Sequence, residues 1–253
     1  MMKTLRQLLT LLLLFNALPI LAQQNPNEYV EDKPVLMKNE ATFGLNFHTS
    51  GTIGIQFRRS YNLTGYKKWI FEGDIIGMKH PKEIKTVNRY FDNAKSYVYG
   101  KQNTLNIIRL GTGIQKTLFS KAERNGVEIR FLYSGGLSLG ITKPVYLNIL
   151  KPTGKGGEFD VVVEKYNPEE HFVDNIYGRA PFTEGLDEIN FHPGAYGKIG
   201  FNFEYAPIFE DVKSLEIGAI VDVYPKDIPI MALIDNKKFF LTFYITLMYG
   251  RKW

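Results

Sequence analysis

The chain has no cysteine among its 253 residues. That absence excludes disulfides, cysteine-ligated zinc, thiol nucleophiles and a lipid-modified N-terminal cysteine. Long apolar runs are missing too. After the first two dozen residues, no segment offers the roughly 20 apolar residues that a membrane-spanning helix needs. A strong charge of one sign is also lacking. The formal net charge is +5. Two of those charges, Lys3 and Arg6, lie in the N-terminal leader, which leaves +3, too mild and too dispersed for a nucleic-acid partner. No sequence motif calls for a cofactor or a bound metal.

What is present is aromatic and glycine-rich. Aromatics make up 14% and there are 23 glycines, a combination that suits strands joined by tight turns. The leader MMKTLRQLLTLLLLFNALPILAQQ has a basic start, a short apolar run from Leu8 to Leu14, and a small residue at Ala22. It reads as a cleaved signal peptide over 1–22. The competing reading, an anchoring helix, needs a longer run. Residues 23–40 read as a polar periplasmic tail and 41–253 as the folded body.

Period-2 alternation dominates from Ala41 onward. Eight segments show it, near 41–48, 52–61, 67–79, 104–118, 126–142, 194–206, 213–224 and 238–251. Between 127 and 141 the odd positions carry Val127, Ile129, Phe131, Tyr133, Gly135, Leu137, Leu139 and Ile141, while the even ones carry Glu128, Arg130, Leu132, Ser134, Gly136, Ser138 and Gly140. Successive strand residues face opposite sides, so one face is apolar and the other polar or tiny. A soluble barrel of the lipocalin kind, binding a ligand, would put the apolar face inside. A membrane barrel inverts it. The polar faces gather Arg58, Glu72, Asp74, Arg109, Glu128, Arg130, Lys198, Glu204, Glu216, Asp222 and Lys252, with Gly and Ser between them. Glycine weakens a water-facing strand, but a crowded interior needs small residues beside long ones. Continuous apolar faces on nearly every strand would be a large exposed patch on a soluble protein. The expectation is therefore an all-β, antiparallel up-and-down transmembrane barrel of eight strands, with ten as the alternative. These charges would form an ion-pair network that plugs its lumen.

Connection lengths support this expectation. The second, fourth and sixth connections are short, whereas 80–103 and 143–193 are long. Short periplasmic turns and long outer loops alternate in this way when both termini are periplasmic. Within the longer loop, 145–150 and 160–166 flank KPTGKGGEF and read as a hairpin. If that hairpin reached the bilayer, the barrel would have ten strands. Gly154-Lys155-Gly156-Gly157 reads as its turn, because a phosphate cradle would need a strand–loop–helix context.

Tyr61, Trp69, Tyr205, Tyr249 and Trp253 fall near the periplasmic strand ends and read as a membrane-interface girdle, with Arg59, Lys116 and Arg251 beside them. His48, His80 and His192 fall near the opposite rim. They raise a rim-sited lipid or lipopolysaccharide hydrolase, with Ser50 and Glu170-His171 as further candidates, or a metal site. Irregular spacing gives neither reading a motif.

The leader's LAQ end, GMKHPKEIKTVN at 77–88, NIYGRAPF at 175–182 and the closing FYITLMYGRKW resemble small outer-membrane β-barrel proteins of the Bacteroidetes type over the whole mature body. The resemblance implies a surface-exposed barrel, surrounded by outer-membrane lipids and inserted by the outer-membrane assembly machinery. It carries over no catalytic residues. The last strand, ending on Trp253, resembles the signal that such machinery reads. The expected role is a non-enzymatic envelope component that presents its long loops to a partner.

Overall fold

A computed structural model describes residues 38–253 apart from 92, 122–125, 154–158, 206–209 and 233. The leader, most of the tail and the GKGG turn lie outside the described residues. In chain order the strands are β1 (Asn39–His48), β2 (Ile53–Asn62), β3 (Lys67–Met78), β4 (Lys85–Thr86), β5 (Tyr97–Val98), β6 (Asn103–Phe119), β7 (Glu128–Pro144), β8 (Tyr146–Pro152), β9 (Phe159–Lys165), β10 (Ile176–Arg179), β11 (Asn190–Glu204), β12 (Asp211–Ile228) and β13 (Lys237–Lys252).

Eight of these close into one barrel in the order β1-β13-β12-β11-β7-β6-β3-β2. All eight pairings are antiparallel. The seam pairs β1 with β13 in unbroken register, from Glu40↔Lys252 to His48↔Tyr244. The ten-strand alternative is not realised. The 145–166 hairpin forms as β8 and β9, but it joins β10 in a separate three-stranded sheet.

The side-chain alternation follows from the period of two. On β13, Phe239, Leu241, Phe243, Ile245, Leu247 and Tyr249 are exposed, whereas Thr242, Tyr244, Thr246 and Met248 are buried. The same inversion recurs on β1, where Phe43, Leu45 and Phe47 face out and Thr42 and Asn46 face in.

Several boundaries differ from the sequence expectation. Strand β1 starts at Asn39, so Glu40 belongs to the barrel and not to the tail. Strand β11 starts at Asn190, which brings His192 and Pro193 into it. Strand β12 runs on to Ile228. The β11 and β12 extensions lie at the barrel's loop end, where the interior changes character. There Ile76, Met78, Leu105, Ile107, Tyr224, Ile228, Ile230 and Met231 form an apolar cluster. A second cluster, with Tyr97, Leu147, Ile149, Tyr166 and Ile176, ties the outer sheet together.

Candidate functional site

The charged residues expected inside the barrel are inside it, and they sort into three tiers. In the middle tier, Arg58 donates to Glu216 at 2.6 and 2.9 Å and to Glu72 at 2.9 Å. Lys198 lies 3.0 Å from Glu216 and 3.4 Å from Glu72. Gln56 donates to Glu72 at 3.0 Å, Tyr244 donates to Glu216 at 3.0 Å, and Ser134 donates to Glu72. Two cations thus meet two carboxylates with most lone pairs filled, the condition under which buried charge is tolerable.

Toward the loops, Arg109 makes a two-pronged contact with Asp222, at 2.8 and 2.7 Å, and a third bond to Asp74 at 3.1 Å. Ser138 adds a bond to Asp222 at 2.8 Å. The fork geometry of guanidinium suits this bridging role. Toward the termini, Glu128 and Glu204 stand directly opposite each other on β7 and β11. Facing like charges destabilise a sheet. Arg130 lies between them, 2.7 Å from Glu128 and 2.6 Å from Glu204, and Lys252 also reaches Glu204.

The sequence reading missed part of this interior. Lys68 pairs with Glu40, a residue expected in the tail. Tyr196 and Tyr224 carry hydroxyls into the network, although inward parity on their strands was the available signal. The small residues do serve the long ones. Gly200 and Gly218 stand opposite each other, and a Cβ added at either would overlap the Tyr244 hydroxyl.

The girdle residues lie on the outside at one end. Tyr61 pairs across with Trp69, and the Tyr205 amide donates to the Lys213 carbonyl, itself opposite Tyr249. All five girdle side chains are exposed. Arg59 sits 4.4 Å from the centroid of the Trp253 ring and 5.5 Å from that of Tyr61, within cation–π range.

The rim histidines do not converge. Both ring nitrogens of His48 are buried without a hydrogen-bond partner, and its ring lies 6.0 Å from that of Tyr244. The Nδ1 of His80 accepts the Lys82 amide at 3.2 Å. His192 lies 3.0 Å from the Thr142 hydroxyl. Ser50 faces the sulfur of Met78. His171 lies against Glu164 at 3.3 Å, in the outer sheet. Among the described residues no serine–histidine hydrogen bond forms and no group of three side chains could hold a metal ion.

These features define an eight-stranded antiparallel barrel with an apolar exterior and an ion-paired interior. No family model matches the chain, and no curated protein does. Among solved structures, the chain is similar to Neisserial surface protein A at 8% identity over 86% of this chain and 97% of that one, with a TM-score of 0.41. It is also similar to the attachment invasion locus protein of Yersinia pestis, at 7% identity over 86% and 99%, TM-score 0.39. A third is the N-terminal β-barrel domain of Pseudomonas aeruginosa OprF, at 10% identity over 86% and 99%, TM-score 0.33.

Proposed function

We propose that this protein is an integral outer-membrane barrel whose lumen is plugged and whose long loops present a binding surface outside the cell. The observation that carries this reading is the inversion of its faces. Large apolar side chains cover the outside of every barrel strand, and the charges are inside and paired. Along β13 the exposed apolar row runs from Phe239 to Tyr249. Ten residue steps at about 3.3 Å, tilted by about 40°, project to roughly 25 Å, the height of a membrane barrel's apolar band. The aromatic girdle lies at one edge of that band, where ring and water both have partners.

An eight-stranded barrel leaves room inside only for side chains. Here charge tiers and the apolar cluster fill it, which supports a scaffold and not a conduit. The loops carry their own sheet and core, more structure than a connection requires. The test is fractionation of cells expressing the protein, combined with protease treatment of intact cells. The protein should sediment with outer membranes, with cleavage confined to 79–102 and 145–189. Recovery in the soluble periplasm or medium would overturn the reading in favour of a secreted barrel.

A further inference from the structure

Inside the barrel every cation has a carboxylate. At the loop end the pattern reverses. A cavity of about 460 Å³ opens between the segment that follows β3 and the strands β7, β8 and β10. Its wall carries Lys79, Lys85, Lys95, Lys101, Lys143 and Arg179 against a single carboxylate, Glu83. Four of these cations come from the segment between β3 and β6, Lys143 from the end of β7 and Arg179 from β10, so the fold brings three parts of the chain together. Lys101 takes Glu83 at 2.6 Å. Lys143 donates to the carbonyls of Phe182 and Glu184, at 3.0 and 2.7 Å. Among the described residues, Lys79, Lys85, Lys95 and Arg179 have no carboxylate within ion-pair distance.

The wall between the charges is apolar. Tyr97 and Leu147 are buried in the outer core, and Val145, Pro181 and the Phe182 ring line the same space. A volume in the range of about 300–1,000 Å³ holds a small organic ligand. Clustered cations repel one another until an anion joins them, and lysine ammonium groups act as mobile point charges suited to phosphate-type anions.

We propose that this cavity binds a saccharide bearing two or more phosphate or sulfate groups. The apolar strip faces the sugar's C–H groups and the cations take its anionic esters. The proposal deepens the outward-facing reading of the loops. It rests on that reading only for which side of the membrane supplies the ligand, because binding by the purified protein does not depend on orientation. Two sources share this chemistry: a phosphorylated glycolipid headgroup in the surrounding leaflet and a free glycan.

The test is calorimetric titration of the full mature chain, folded in uncharged detergent or in nanodiscs. The probe is a bisphosphorylated glucosamine disaccharide, offered free or on acyl chains within the nanodisc, with its dephosphorylated form as control. Saturable binding at a single site is expected. The K85Q/K95Q/R179Q variant should weaken it by about tenfold or more, and its binding should fall less steeply with salt. The exposed pair K226Q/K238Q, outside the cavity wall, should change it less than about twofold. Heat-dependent gel migration shows that each variant retains its barrel. If the triple variant does not fold, Lys95→Gln alone is read, with a loss of about threefold expected. Binding only on acyl chains assigns the glycolipid source, and equal binding of both forms assigns the free glycan. The proposal is overturned if neither form binds saturably, if the dephosphorylated control binds as well, or if the readable cavity variant binds like the parent. Failure here would leave membrane location untouched, and mislocation in cells would leave this binding result untouched.

Discussion

Glu216 shows how much of the interior hangs on one side chain. It accepts from Arg58, Lys198 and Tyr244 while fully buried. Replacing it with alanine would leave Arg58 and Lys198 to share the single carboxylate of Glu72 in a closed space, one positive charge in excess. Breaking a buried pair in this way costs about 3–5 kcal/mol. Glu216→Ala should lower stability by that amount in urea titrations of the vesicle-reconstituted protein. The tiers also make a statement about additivity. Arg58 and Arg130 share no carboxylate, so R58A/R130A should cost nearly the sum of its single variants. Arg58→Ala with Glu216→Ala should cost clearly less than their sum, because each removes the other's partner. If both pairs prove equally additive, the tiered description is wrong. At this scale the sequence was informative about charge and silent about partners. Parity placed Arg109 and Asp222 on the inner face, but 113 residues separate them, and only closure of the barrel brings them together.

Facing glycines on β11 and β12 leave room for an inward tyrosine. Gly200 and Gly218 face each other under the Tyr244 hydroxyl. Gly200→Ala must push that hydroxyl off Glu216, and overpacking of this kind costs about 1–3 kcal/mol. With Tyr244→Phe in the same chain the clash is smaller, so the double variant should lose less than the two single losses added. Strict additivity in the same unfolding assay would show that the contact does not matter. The outer sheet adds polar links to its apolar cluster. Lys165 and Tyr146 both donate to Glu188. Those hydrogen bonds, Lys165's first, hold Glu188 below its ordinary 4.5, and the bond to Glu188 raises Tyr146 to about 12. The signs follow from linkage. Glu188's contribution is present above pH 4.5 and fades as the pH falls through its lowered value. Tyr146's is present below pH 10 and fades as the pH rises through about 12. Limited proteolysis should therefore open 145–189 at both extremes while the barrel stays intact. Cleavage unchanged below pH 4 would count against the link.

At the scale of the whole molecule, the barrel was legible because its period is two and its faces are inverted, a pattern that survives errors in any single boundary. The ends of β11 and β12 were not, since glycine and proline near Pro193 and Pro225 mask strands that cross-strand pairing extends. The apolar cluster at the loop end was equally hidden. Its inward Ile76, Leu105 and Ile107 sit on strands whose lower halves are charged, so they break the alternation that identified the lumen. The cationic cavity drew on residues from 79 to 179 and no local window contains it. Absence of cysteine makes the central claim open to direct measurement, because each introduced thiol is unique. Single cysteines at 239, 241, 243, 245, 247 and 249, each carrying a fluorophore, should be quenched by brominated acyl chains in vesicles, with aqueous iodide reaching only the interfacial position 249. A barrel that keeps water on this face would give the reverse, with iodide quenching at all six positions and none from the lipid.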